Sequence, residues 1–178
     1  MKMQSDMLRW YAVYTAPRAE KKLSERFLAA GIEHYLPLKT VKHHWSDRVK
    51  EVSVPVINGY IFVQIGSADF IKVMKIYGAI SFVKEGLTPA PIPDMQMDRF
   101  RRMVELSDRP VEFSNEQFDR GETVNICKGP LQGLMGELIE VQGKHKVIVR
   151  LQNMGCAMTI IPLSFVEKVT DRVLSIDS

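Results

Sequence analysis

The chain has 178 residues, 46% hydrophobic and 25% charged, with a formal net charge of +3, the composition of a soluble globular protein with one ordinary domain or two small ones. No apolar run approaches the roughly 18 residues of a membrane helix, and the first 15 residues lack the apolar stretch of a secretory signal. A cytoplasmic protein without a membrane partner is predicted, and its two cysteines, Cys127 and Cys156, have no CxxC spacing and read as reduced thiols rather than metal ligands.

Charge is unevenly spread. Residues 1–50 hold ten Lys/Arg against five Asp/Glu, residues 51–118 seven against nine, and residues 119–178 seven against seven. The excess sits in the first third, where it permits nucleic-acid contact without the density of a dedicated electrostatic binder.

In chain order, Trp10 to Tyr14 predicts a short aromatic strand that gives way at Thr15 to a helix, with Pro17 in its first turn and Gly31 as terminator. Ala19, Leu23, Phe27 and Ala30 fall on one helical face, and Arg18, Lys22 and Arg26, spaced by four, line a basic edge beside it. Two strands follow around the polar turn Ser46, Asp47, Arg48 and make a basic hairpin; "NGYIFVQI" opens a further strand at Asn58-Gly59. Period two places Ile61, Val63 and Ile65 on one face of that strand and Tyr60, Phe62 and Gln64 on the other. Asp69 is positioned to cap a short helix carrying Phe70, Val73, Met74 and Tyr77, and "AISFV" reads as another strand. After the proline-rich "LTPAPIPD", a helix through Met97, Phe100, Arg101 and Val104 closes a first domain near Glu105.

Residues 106–118 read as a polar linker. Beyond it, "TVNIC", "GELIEV", "KVIVRL", "MTII" and "FVEKV" predict a small all-β barrel. Gly129, Gly133 and Gly136 crowd the turn before "GELIEV", where a sharp corner needs positive φ or close backbone approach.

The run "GETVNICKGPLQGLMGELIEV" resembles the KOW motif of NusG-type transcription factors and several ribosomal proteins, which implies an SH3-like barrel whose loops bind RNA or protein. "WYAVYTAPRAEKKLSERF", then "SVPVINGYIFVQI", "FV" at 82–83 and "PAPIP" at 89–93, resembles the NusG N-terminal domain in order and spacing. Together the two modules cover roughly residues 9–169, and the chain resembles a NusG-family elongation factor, closer to a specialised paralog than to the general one. The expected fold is therefore an α+β domain over residues 8–105, with an antiparallel sheet and flanking helices, a linker over 106–118 and a KOW barrel over 119–170.

The resemblance implies a monomeric factor whose first domain grips the clamp helices of RNA polymerase through Tyr14, Tyr60 and Phe62, which otherwise form a second core. It implies promotion of processive transcription of particular operons; a general elongation factor is the alternative. Arg18, Lys22 and Arg26 with His44 and Trp45 are candidates for the non-template strand or upstream duplex, or else a solvated surface. Adjacent His43 and His44 point apart on a strand and have no completing ligand, so no metal or cofactor is expected. Leu131, Leu134, Met135 and Met154 are candidate contacts to ribosomal protein S10 or Rho, or else plugs of the barrel ends; Cys156 stands where the family often carries a basic residue.

Two other classes compete. An enzyme is disfavoured because no GxSxG, HExxH, P-loop or GxGxxG occurs. A ribosomal or other RNA-binding KOW protein would carry a larger Lys/Arg excess than this neutral segment.

Overall fold

A computed structural model describes residues 7–169. The chain divides into two compact units, Met1–Met97 and Asp98–Ser178.

The first unit runs β1 (Arg9–Thr15), α1 (Glu20–Ala29), β2 (His34–Tyr35), β3 (Leu38–His44), β4 (Val49–Pro55), β5 (Tyr60–Ile65), α2 (Phe70–Met74), β6 (Ala79–Phe82), β7 (Lys84–Glu85), β8 (Thr88–Pro89) and β9 (Pro91–Ile92). Its main sheet has the order β2-β5-β1-β6, with β9 also on β1, and every pairing is antiparallel. Strands β3 and β4 pair only with each other, as do β7 and β8.

Tyr11 and Val13 of β1, Ile61, Val63 and Ile65 of β5 and Phe82 of β6 form one buried face, closed by Leu23 and Phe27 of α1 and Val73 of α2. Each such side chain contributes about 1.5–3 kcal/mol by leaving water. Phe70 meets Tyr11 edge-on, at 5.0 Å and 90°. Gly31, at φ +69°, ends α1 as the sequence predicts.

The start of α1 differs from the sequence expectation. Thr15 stays in the sheet, its N–H donating to the Gly59 carbonyl at 2.9 Å, and Arg18 takes a left-handed φ of +59°, so the helix begins only at Glu20. Tyr77 likewise leaves the expected face of α2: it is 83% exposed. Asp69 makes no side-chain cap and instead closes the 3-10 turn Ser67–Asp69.

Helix α3 (Asp94–Leu106) spans the division between the units. The second unit then adds β10 (Glu112–Ser114), β11 (Glu122–Ile126), β12 (Met135–Val141), β13 (Lys144–Leu151), β14 (Gly155–Ile160) and β15 (Val166–Lys168) in one antiparallel sheet of order β10-β14-β13-β12-β11-β15. Strand β10 lies inside the stretch read as linker: Phe113 pairs with Ala157, so part of that stretch belongs to the sheet. The final position of the expected barrel segment, residue 170, lies outside the described residues.

The glycines before β12 do two different jobs. Gly133 has φ +86°, and its N–H donates to the Ile126 carbonyl at 2.7 Å, folding the turn back on β11. Gly136 needs closeness instead: a Cβ there would sit 2.7 Å from the Ile148 carbonyl oxygen and 2.7 Å from Val147 Cγ2. Gly136→Ala is expected to destabilise this unit by about 1–3 kcal/mol through overpacking, read as a lower midpoint in denaturant melts of the full chain.

Candidate functional site

The face of the first sheet turned away from the core carries a continuous row. Tyr14 pairs with Tyr60, Ala12 with Phe62 and Trp10 with Gln64 across β1 and β5. Exposure decides what this row can do: Tyr14 is 39% exposed and Tyr60 half-buried, but Ala12 and Phe62 are at 0%. The middle of the row is closed, the tyrosine end is the more open, and at the other end Gln64 is half-buried beside the buried Trp10. Phe62 therefore departs from the expectation of a direct contact; flanked by Ala12 and by Tyr35 of β2, with the Tyr35 ring 6.5 Å away, it is a buried residue beside the surface pair on the same face.

The Tyr14 and Tyr60 rings lie 4.7 Å apart and tilted by 42°. Burial, reinforced by the hydrogen bond and charge interaction with Tyr14, pushes the Tyr60 phenol up to about 12. Any stability it contributes is full below its ordinary value of 10.0 and lost as pH rises to about 12, so Tyr60 is neutral at physiological pH.

Gly59 fixes where Tyr60 starts. Its N–H donates to Oε1 of Glu20 at 2.8 Å, its carbonyl accepts from Thr15, and its φ is +80°. Glu20 is only 7% exposed, and this role was not read from the sequence, where it appears merely as an acid in the first turn of α1. Ile80, 63% exposed where β6 slips register opposite Tyr14 and Thr15, is a further missed apolar residue.

The candidate nucleic-acid residues do not form one patch. Arg18 precedes α1, so only Lys22 and Arg26 keep helical spacing. Arg26 is already engaged: Nη1 donates to the Tyr77 carbonyl at 2.8 Å and its guanidinium lies 5.0 Å over the Tyr77 ring. Arg18 and Lys21 line a groove of about 690 Å³ along Val52, Ser53, Val54 and Pro55 of β4, and the Lys21 ammonium donates to the Ser53 carbonyl. His44 and Trp45 lie at the opposite end of the hairpin from its Leu38–Pro55 base, about 20 Å away at roughly 3.3 Å per residue. Trp45 is 62% exposed, and its N–H closes the turn on the Arg48 carbonyl at 2.8 Å.

In the second unit, Leu131 and Leu134 are buried, and the loop holding them is pinned by bonds from Leu134 N–H to the Leu131 carbonyl and from Ile126 N–H to the Leu134 carbonyl, both 2.9 Å. They plug the sheet and are not surface contacts, whereas Met135 and Met154 are half-buried. Arg150 meets Glu137 through two bonds of 2.6 and 3.1 Å and also donates to the Phe118 and Asp119 carbonyls, tying residues 118–119 to the sheet. The Glu137 hydrogen bond raises the Arg150 pKa further. Burial pushes the neighbouring Cys156 thiol up, against the opposing pull of Arg150, so that thiol stays protonated.

Among the described residues no group of three or more His, Cys, Asp or Glu is placed to hold a metal ion, and no helix is long and apolar enough to cross a membrane.

The family model described as "Transcription termination factor nusG" matches residues 8–101, just over half of the chain. The chain belongs to the NusG family. NusG-family proteins are transcription factors of the termination and antitermination class, not enzymes. The chain is 24% identical over 174 residues to the transcription termination/antitermination protein NusG of Rickettsia conorii, covering 91% of this chain and 90% of that protein. It is 23% identical over 176 residues to the NusG of Rickettsia bellii, covering 92% and 90%. Its fold is similar to a solved structure of Thermotoga maritima NusG, with a TM-score of 0.52 and 22% identity over 92% of this chain and 98% of that one. The NusG match contains Tyr14, Tyr60 and the basic residues but ends before Leu131, Leu134, Met135 and Met154.

Proposed function

We propose that the chain is an elongation and antitermination factor that docks on the clamp helices of RNA polymerase through Tyr14 and Tyr60 and promotes processive transcription of particular operons. The observation that carries this reading is the exposed tyrosine end of a largely buried sheet face, where two aromatic rings lie 4.7 Å apart. Rigid aromatics at such a place anchor protein interfaces because they bury large area at small entropic cost.

In this reading Arg18 and Lys22 attract the phosphates of the non-template strand, and His44 and Trp45 reach its bases from the hairpin tip. The second unit acts as the KOW barrel, and Met135 and Met154 meet a further protein, ribosomal protein S10 or Rho being the partners the family resemblance implies.

The test maps the protein across its own genome, then assembles paused elongation complexes on a leader where it accumulates and on a scrambled copy. Recruitment about tenfold stronger on the native leader is expected, the scale of one or two lost base contacts. Equal recruitment to both would remove the operon-specific part and leave a general NusG-type factor.

A further inference from the structure

A groove of about 690 Å³ runs beside β4, walled by Val52, Ser53, Val54 and Pro55 on one side and by Arg18 and Lys21 on the other. The hairpin's own hydrogen bonds fix which main-chain groups face it. Val56 N–H donates to the Pro37 carbonyl at 2.9 Å and Trp45 N–H to the Arg48 carbonyl at 2.8 Å, just beyond the two ends of the β3–β4 register. Bonded and non-bonded pairs alternate along an antiparallel ladder, so Lys50, Val52 and Val54 turn their N–H and C=O toward β3. Glu51, Ser53 and Pro55 turn theirs outward, and Pro55 has only a carbonyl to offer. The Lys21 ammonium donates to the Ser53 carbonyl, one of the groups that this alternation turns outward. Among the described residues β4 pairs with no strand but β3, so its outward edge is open to another chain.

We propose that this edge is a docking site for an extended acidic segment of a partner protein, which adds as a strand alongside β4 and sets a carboxylate on Lys21. This contact lies beyond the polymerase docking proposed above and is independent of it. An edge strand offers N–H donors and C=O acceptors together, and another peptide main chain is the complement of that row. A phosphate backbone only accepts, so it would leave the outward Ser53 and Pro55 carbonyls without a donor. Charge decides which peptide fits. Glu20, the carboxylate in the groove lining, is 7% exposed and its Oε1 accepts from Gly59 N–H at 2.8 Å. Arg18 and Lys21 are exposed and, among the described residues, in no ion pair. Glu51 lies outside the groove lining and opposite Lys42. In the free protein Lys21 covers the edge, one of the ways in which sheets keep open edges from pairing indiscriminately. An incoming N–H replaces it on the Ser53 carbonyl, and the released ammonium pairs with an acidic side chain.

The experiment follows amide shifts of the isotope-labelled full chain as a capped synthetic peptide of about eight residues, alternating valine with glutamate, is added at low salt. The same peptide with lysine for glutamate, and the glutamate peptide with every amide N-methylated, are titrated beside it. A dissociation constant of about 0.1–1 mM is expected for the glutamate peptide, the strength of a weak transient contact. Ser53→Pro removes the outward N–H while sparing every bond to β3, and should weaken that peptide about tenfold; Ser53→Ala, which keeps the N–H, should not. The N-methylated peptide should not bind the parent, which repeats the test without altering the protein. The glutamate peptide should bind about tenfold more tightly than the lysine one, and Lys21→Gln should narrow that ratio to about threefold. Absence of shifts up to about 5 mM peptide, equal affinity of Ser53→Pro and Ser53→Ala, binding of the N-methylated peptide, or equal affinity for the two charge versions would each overturn the proposal. Duplex DNA affinity should be the same for Ser53→Pro and the parent; a drop as large as that for the peptide would make the groove a nucleic-acid surface and overturn it too. The Tyr14→Ala, Tyr60→Ala protein should bind the glutamate peptide as the parent does, so failure here and failure of polymerase docking are read separately.

Discussion

Tyr14→Ala with Tyr60→Ala should abolish retention of the protein on immobilised RNA polymerase while its circular dichroism and thermal midpoint stay close to the parent's. The expected loss is about 2–4 kcal/mol, the range of interface hot spots, or roughly 30- to 1000-fold in affinity. The separation of binding from folding follows from exposure: Tyr14 is 39% exposed and Tyr60 half-buried, and neither belongs to the core cluster of Tyr11, Val13 and Ile61 on the opposite face. Tyr14→Phe with Tyr60→Phe keeps both rings and removes the hydroxyls. If the rings are the anchor, that variant should keep most of the affinity. Full retention by the double alanine variant would sink the docking reading.

The alternation of β5 was legible because period two is a local property: Ile61, Val63 and Ile65 do face α1 and α2, and Phe62 does face away from them. What covers the far face is not local. Phe62 lies beside Tyr35, 27 positions earlier, and Ala12, 50 positions earlier, and no pattern in "GYIFVQI" encodes that burial. The same limit explains Glu20, whose partner is the N–H of Gly59, and Leu131 and Leu134, whose burial depends on Ile126 receiving and donating bonds across the turn. Strands β7, β8 and β9, two residues each, are too short for any period to register, and prolines at 89 and 91 mask them. The row Arg18, Lys22, Arg26 failed for a different reason. Spacing by four carries a shared face only inside a helix, and one left-handed residue at Arg18 moved it outside. That conformation costs about 1–2 kcal/mol for a side chain with a Cβ, a cost that helix propensity does not foresee.

Phe62→Ala should give the reverse of the tyrosine pair: a large loss of stability, with any loss of polymerase binding following from unfolding. The ring is fully buried, and truncating a buried phenylalanine costs about 3–5 kcal/mol, combining lost transfer free energy with the cavity left behind. Against a typical total of about 5–15 kcal/mol, that moves the denaturation midpoint far enough for chemical melts to resolve it without ambiguity. Phe62→Leu keeps much of the volume and should recover most of the stability. With Tyr14 and Tyr60 unchanged, this variant should bind polymerase within a few-fold of the parent once measured below its own midpoint. The pair of variants therefore assigns Phe62 its role by which quantity moves. A Phe62→Leu protein that melts like the parent yet has lost polymerase would place the ring in the contact itself and require the sheet face to open on binding.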